Sequence, residues 1–460
     1  MPRLVLICLL AVCLALPAVA APPRAVVSGP EPPAGLTVLD HRGDLWLVSG
    51  SDAQLAALPN ARILAEPAAP VLPARTFVPA PTPVIDDLVA QVNAAELIAE
   101  VQWLVDLGVR WSRSPNLLVV ADSLQARLAS YGLATEKHWF PLGPLTVPNV
   151  IATKTGLAQP DSVFVICAHY DATSENAGFD TPGADDNGTG TVALLTAARL
   201  LSKLGTDYTV KFVLFAGEEQ GLVGSSRWVA DMAAAGLPIL GALNFDMIGW
   251  WTSGVPFDLE IETNQHSRWL ADAICWAADT YTTMPYILHV DDGAYWGDFY
   301  SFWQHGFAAV NHEESWDWYD PDFNPYYHST GDTVDKLSPD FFEGSARIGV
   351  AALAMLAGAS HVSAVPPAQA AAALRATPNP FNGRVVISLA ADGVEGPVAV
   401  AVHDVRGRRV DRVTLAMSGG RGEAPWDART ADGRALPAGV YLARVEGRPG
   451  WGACRITYVP

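Results

Sequence analysis

Acidic and imidazole side chains recur in five short segments of this 460-residue chain. They are His169 and Asp171 in Ala168-His169-Tyr170-Asp171, Asp185 and Asp186 in Ala184-Asp185-Asp186-Asn187-Gly188, and Glu218 and Glu219 in Ala216-Gly217-Glu218-Glu219-Gln220. Asp246 follows in Asn244-Phe245-Asp246-Met247, and His328 in Tyr327-His328-Ser329-Thr330-Gly331-Asp332-Thr333. Singly, each has an ordinary structural reading: Asp-Asp-Asn-Gly is a turn composition, and short motifs of this kind arise by chance. Together, imidazole and carboxylate without thiolate form a donor set suited to zinc in an open catalytic site rather than a closed structural one.

The elements that must position these groups are legible around them. Near-continuous apolar runs at Val163–Cys167, Val210–Phe215 and Ile239–Leu243 precede the first, third and fourth segments and read as strands buried on both faces. Helix-like stretches lie between them, Thr191–Leu204 stopped by Gly205 and Leu222–Ala235 stopped by Gly236. Alternation of strand and helix predicts an α/β fold with a mostly parallel sheet flanked by helices. Most of the carboxylates then sit where the chain leaves the sheet, which is where such folds build their sites. Helices are also expected over Ile85–Leu107, Leu117–Tyr131 and Ile348–Ala357, the last too short to span a bilayer.

In this order the segments resemble the dizinc exopeptidases of metallopeptidase family 28, whose best-known members are bacterial leucyl aminopeptidases. The likeness is tight from Asn149 to Asp335 and looser from Val84 to Ser360. It implies a zinc exopeptidase fold with two Zn2+ per chain, His169 and Asp246 on one ion, Glu219 and His328 on the other, and Asp186 bridging both. It further implies Glu218 as general base, Asp171 as the residue orienting His169, and a cis peptide bond at Asp186-Asn187. Charge agrees: three ligand carboxylates against two divalent cations leave one positive charge, which a hydroxide neutralises. Zinc lowers the pKa of bound water to about 7, and Glu218 can move the proton to a leaving amine. Asp171, two residues from His169 in extended backbone, points to the same side and is expected to accept the second imidazole N–H.

The resemblance leaves other classes in the same framework: glutaminyl cyclases, which are single-zinc transferases, carboxypeptidases, and binding-only relatives. No ligand position is missing, and no arginine cluster stands out as a carboxylate clamp, Arg110 and Arg113 reading as structural. The leading expectation is an aminopeptidase acting on peptides with hydrophobic N-terminal residues. His312-Glu313-Glu314 opens like a zincin motif, but Trp316 stands where the second histidine belongs. Glu314 reads as a structural carboxylate before a binder of the substrate amine. Tyr295, Asp298 and Tyr300 occupy the segment where relatives carry a carbonyl-polarising tyrosine and an Asp-His pair; here Phe299 replaces that histidine.

Half of the residues are hydrophobic and the formal charge is −19, which disfavours nucleic acid and anionic membrane as partners. Residues 1–20 read as a signal peptide, so a secreted, cell-surface or periplasmic protein is expected. The remaining cysteines, Cys167, Cys275 and Cys454, are too scattered for a disulfide framework. Residues 21–83 read as a small propeptide-like unit followed by a Pro/Ala-rich linker, 84–360 as the catalytic domain, and 361–377 as a second linker. From 378 to 460, short strands punctuated by Gly, Asp and Pro predict an all-β immunoglobulin-like sandwich. Pro378-Asn379-Pro380-Phe381-Asn382 and Pro437-Ala438-Gly439-Val440-Tyr441 resemble the flagellar hook-capping and type IX sorting modules of secreted bacterial proteins. That likeness implies secretion or cell-surface machinery as a partner.

Overall fold

The computed structural model describes residues 24–460, apart from 29–30, 43–44, 59–60, 65–67, 69–70, 73–74, 316–320, 362–372, 392–393, 405–407, 431–432 and 447–452. The signal-like segment and most of the second linker lie outside the described residues. The chain forms two compact units, 1–360 and 361–460.

The first unit begins with β1 (Arg24–Ser28), β2 (Thr37–Arg42), β3 (Leu45–Ser49), α1 (Asp52–Ala56) and β4 (Ala61–Leu64), an antiparallel sheet in the order β2-β3-β1-β4. Strand alternation divides its apolar residues between two faces. Ala25, Val27 and Val48 join Leu55 of α1 in a small core. Val26, Leu47 and Leu64 fall in the same buried cluster as Trp228, Phe302 and Trp303 of the catalytic region. The small unit read in residues 21–83 is thus not free-standing: one of its faces is completed by the larger domain. The stretch read as a linker is docked as well. Val71 N–H donates to Gly306 O at 2.9 Å, Arg75 lies over the Tyr208 and Trp269 rings, and Phe77 packs on Trp276.

Next come α2 (Pro83–Val89), α3 (Ala94–Asp106), α4 (Asn116–Ser130), β5 (Ala134–Leu142), β6 (Leu145–Lys154), β7 (Gln159–His169), α5 (Gly188–Leu201), β8 (Tyr208–Phe215), α6 (Val223–Ala234) and β9 (Ile239–Phe245). The unit ends with β10 (Leu259–Thr263), α7 (Arg268–Tyr281), β11 (Tyr286–Val290), α8 (Phe299–Gln304), β12 (Ala309–Glu313) and α9 (Pro339–Ala357). The single helix expected over Ile85–Leu107 is two, because the Asn93 side chain accepts from Glu96 N–H and starts α3 afresh. Eight strands form one sheet in the order β11-β10-β12-β9-β7-β8-β6-β5. The β12-β9-β7-β8 centre is parallel, and antiparallel pairings join it to its flanks.

Both faces of that centre are covered, which is why its strands read as unbroken apolar runs. Phe164, Ile166 and Ala168 of β7 face the cluster filled by α3, α4, α5, α7 and α9, whereas Val163, Val165 and Cys167 face α6, α8 and the N-terminal sheet. On α9, a Cβ at Gly349 would overlap the Phe245 ring. Gly349→Ala adds helix propensity worth under about 1 kcal/mol, but overpacking of this kind costs about 1–3 kcal/mol. Calorimetry is expected to find a melting temperature lowered by a few degrees; an unchanged or raised value would contradict the close approach.

The second unit holds β13 (Ala373–Thr377), β14 (Val385–Ala390), β15 (Gly396–Asp404), β16 (Arg409–Met417), β17 (Arg421–Trp426), β18 (Gly439–Val445) and β19 (Ala453–Tyr458). Antiparallel sheets β13-β14-β17 and β16-β15-β18-β19 share a core including Ile387, Val400, Leu415, Trp426 and Tyr441, as a sandwich requires. β13 lies in the stretch read as linker. Its short Leu374/Ala376 alternation, both buried, was masked by the preceding alanine run. Among the described residues no helix is long and apolar enough to cross a membrane.

Candidate metal centre

Three strand ends and two loops bring the predicted residues together. His169 ends β7, Glu218 and Glu219 follow β8 closely, Asp246 directly follows β9, and Asp186 immediately precedes the Asn187 cap of α5. His328 comes from the connection between β12 and α9. His169 Nε2 lies 3.2 Å from Asp246 Oδ1 and 3.3 Å from Asp186 Oδ1. His328 Nε2 lies 3.4 Å from Asp186 Oδ2 and 2.8 Å from Glu219 Oε2. The two oxygens of Asp186 thus face opposite ways, one toward each histidine. Ligand atoms of His169, Asp186 and Glu219 lie within 4.8 Å of one another, so these three could hold a cation.

The electrostatics fit such a cation. Burial raises Glu219 to about 7 and lifts Asp246 above the usual carboxylate range. Burial acts the same way on Asp186, but the imidazoles of His169 and His328 and the Arg110 guanidinium outweigh it and hold Asp186 low. Burial alone would depress His169; Asp246, Glu218, Asp171 and Asp186 around it raise it well above its ordinary value instead. Glu219 Oε1 is buried with no hydrogen-bond partner. An orphaned carboxylate oxygen in a cluster of carboxylates is a poor resting state without positive charge. Divalent cations would supply it, and two imidazoles among carboxylates suit zinc.

The supporting residues are less predictable from sequence. Asp171 Oδ2 accepts from Ser112 Oγ at 2.8 Å and Oδ1 from Glu218 N–H at 3.3 Å. Its carboxylate stands 3.7 Å from His169 Nδ1, beyond hydrogen-bond reach, while its main-chain oxygen lies 3.1 Å from that nitrogen. The expected tautomer lock therefore comes from the Asp171 backbone, and the side chain fixes the Glu218 backbone instead. Ser112 Oγ also accepts from Gly217 N–H at 2.8 Å, holding the strand end before Glu218. Asn187 Nδ2 donates to Phe245 O at 2.7 Å, tying the Asp186 loop to the residue before Asp246. The Asp186-Asn187 bond is cis, and Met247 and His328 adopt left-handed φ of 51° and 53°. For non-glycine residues such values cost on the order of 1–3 kcal/mol and concentrate at sites.

The remaining candidates separate. Glu314 is structural: it is buried, its Oε2 accepts from Gly249 and Trp250 N–H, and it faces Asp185, which burial keeps protonated more readily than usual. Asp298 is buried and pushed to about 7 by desolvation, within the field of His169 and Asp246. Tyr295 lies in the apolar cluster under α8, edge-on to Trp296. Tyr327 instead stacks on His328 with ring centroids 3.7 Å apart. Burial and the carboxylates Asp186, Glu219, Glu218 and Asp246 all raise its phenol.

His312 sits with neither ring nitrogen hydrogen-bonded, its ring 4.9 Å from Phe245, and burial lowers it to about 3. The folded protein therefore keeps it neutral where the unfolded chain, titrating near 6.5, takes up a proton. Stability it leaves intact above pH 6.5 is lost at roughly 1.4 kcal/mol per pH unit as pH falls toward 3. Denaturant melts of His312→Phe are expected to show a shallower decline over that window; an identical decline in wild type and variant would contradict the buried neutral ring.

The sequence profile of peptidase family M28 matches residues 149–353. A probable leucine aminopeptidase of Arthroderma otae is 27% identical over 291 residues, covering 61% of this chain and 76% of that protein. A probable zinc metalloprotease of Leptosphaeria maculans is 28% identical over 193 residues, 37% of this chain and 45% of that protein. The chain thus spans less than half the length of the latter relative. Among solved structures, the LapA aminopeptidase of Legionella pneumophila superposes with a TM-score of 0.58 at 19% identity, covering 74% of this chain and 99% of that one.

Proposed function

Because residues 149–353 belong to peptidase family M28, we propose that this chain is a zinc-dependent aminopeptidase that binds two ions and cleaves the N-terminal peptide bond of peptides. The observation that carries this reading is Asp186 set between two histidine-carboxylate pairs, His169 with Asp246 and His328 with Glu219. His169 and Asp246 would hold one ion, His328 and Glu219 the other, and Asp186 both. Bound zinc supplies Lewis acidity and a water of lowered pKa.

The chain's own groups do the rest. Glu218, held through its backbone by Asp171, takes a proton from the attacking water and returns it to the leaving amine. Burial, reinforced by Glu219, Asp298 and Asp246, raises Glu218 well above an ordinary carboxylate, against the pull of His169. A base strengthened in this way is better matched to neutral pH. Tyr327, stacked on His328 among the same carboxylates, donates to the carbonyl oxygen as negative charge grows there. With the ligand carboxylates balanced by the ions and a hydroxide, the neighbouring acidic groups Glu218 and Asp298 are left to attract a free α-amine. Arg110 is fully buried and donates to the Gly183 carbonyl at 2.5 Å, so it offers no clamp for a C-terminal carboxylate.

Peptides and amino-acid p-nitroanilides with free and blocked N-termini test the proposal, alongside metal content. Cleavage of free N-termini only, fastest with hydrophobic first residues, and two zinc ions per chain are expected. Equal cleavage of blocked substrates, or one zinc with pyroglutamate formation from glutaminyl peptides, would overturn it. The same reading treats residues 1–20 as a signal peptide and the second unit as a module engaging secretion or surface-attachment machinery. Deleting residues 361–460 without change in export or surface location would remove that role.

A further inference from the structure

We propose that Asp332 is a positioning residue for the metal centre, a backbone anchor that couples the bridging Asp186 to the loop carrying His328. Asp332 is 2% exposed. Its carboxylate is aimed at the main chain behind Asp186. Oδ1 accepts from Asp185 N–H at 3.0 Å, and Oδ2 from Asp185 N–H at 3.2 Å and Asp186 N–H at 3.0 Å. Its own carbonyl accepts from Ala184 N–H at 3.0 Å. Three successive amides of the Asp186 loop therefore converge on one residue, leaving the Asp186 side chain to face the histidines.

The arrangement links both halves of the centre. Asp332 lies four residues after His328, so whatever moves the anchor moves a ligand on one side and the bridge on the other. Each loop also has a hold of its own. Arg110 holds Gly183 O, and Thr330 donates to Glu175 through its N–H at 2.8 Å and its hydroxyl at 2.6 Å. Asp332 is thus a direct tie between the backbones of the two loops, beside the Asn324 Nδ2 bond to Asp185 Oδ2 at 2.8 Å. Gly183 has a φ of +50°, and a Cβ there would meet the Ala172 side chain, Asp186 O and the Arg110 guanidinium, so the start of the loop requires glycine.

Groups that orient metal ligands typically contribute 10- to 100-fold in metal affinity. Zinc affinity of the full chain, measured by competition with a chromophoric chelator, is expected to fall at least about 10-fold in Asp332→Ala. Melting of the metal-free protein should stay within a few degrees of wild type. Asp332→Asn can keep one oxygen where Oδ2 receives both amides, and is expected to bind zinc several-fold more tightly than the alanine variant. Turnover should fall with zinc affinity and recover in Asn. Unchanged affinity in Asp332→Ala, or Asn as impaired as Ala, would overturn the inference.

Should Asp332→Ala not fold, Asp332→Ser takes its place; if Ser also fails to fold without metal, the anchor serves the fold and the positioning role is wrong. The inference rests on the two-metal reading. Wild type that binds no zinc sinks that reading, whereas two ions in wild type with unaltered affinity in the variants sinks only the role of Asp332.

Discussion

Glu218→Gln is expected to lower kcat by roughly 10²–10⁴-fold while leaving zinc content unchanged. Glutamine keeps the shape of the side chain and the backbone N–H that donates to Asp171, and Glu218 belongs to neither histidine-carboxylate pair. What is lost is a group able to take a proton from water and deliver it to the departing amine. The pH profile supplies a second readout. Glu218 works as a base only when ionised, so wild-type kcat/KM falls as pH drops through its raised pKa. The glutamine variant has no such group and its residual rate loses that acid limb. A variant as active as wild type, or one that loses its zinc, would refute the assignment.

Stripping the metal is the second large effect. A strong chelator is expected to abolish peptide cleavage, zinc to restore it, and Asp186→Ala to lose it irrecoverably, because the two oxygens of Asp186 serve both histidines. Stability should follow. Ions that bind only the folded chain add about 4 kcal/mol at a thousandfold excess over Kd, a shift on the order of 10 °C in melting temperature for a domain of this size. The sign is set by the site: Glu219 and Asp246, raised by burial, are easier to ionise with cations beside them. Full activity in demonstrably zinc-free protein would defeat the two-metal reading.

The residues that cluster were legible because chemistry restricts residue type more tightly than packing does. Few substitutes exist for imidazole and carboxylate at a zinc site, and the strands leading to them had to be apolar because both faces are covered. Local signals failed where a boundary depends on one side chain or on distant burial. Asn93 splits a continuous helical pattern by capping α3. The strand Ala373–Thr377 shows only a two-residue alternation, beside an alanine run that speaks for nothing. Val26, Leu47 and Leu64 look like the core of a free-standing unit until Trp228, Phe302 and Trp303 turn out to share their cluster.

The sequence by itself determined the α/β alternation, the imidazole and carboxylate residues that cluster and their order along the chain, since these follow from periodicity and from the coordination chemistry of side chains. Only the tertiary structure decided which oxygen meets which nitrogen. Asp171 turns its carboxylate to Ser112 and the Glu218 backbone, and offers its main chain to His169. Asp332, quoted in the His328 motif without a role, becomes the acceptor for amides some 147 positions away. The reason is that hydrogen bonds between loops depend on positions of a few tenths of an ångström set by everything packed beneath them, and no single segment carries that information.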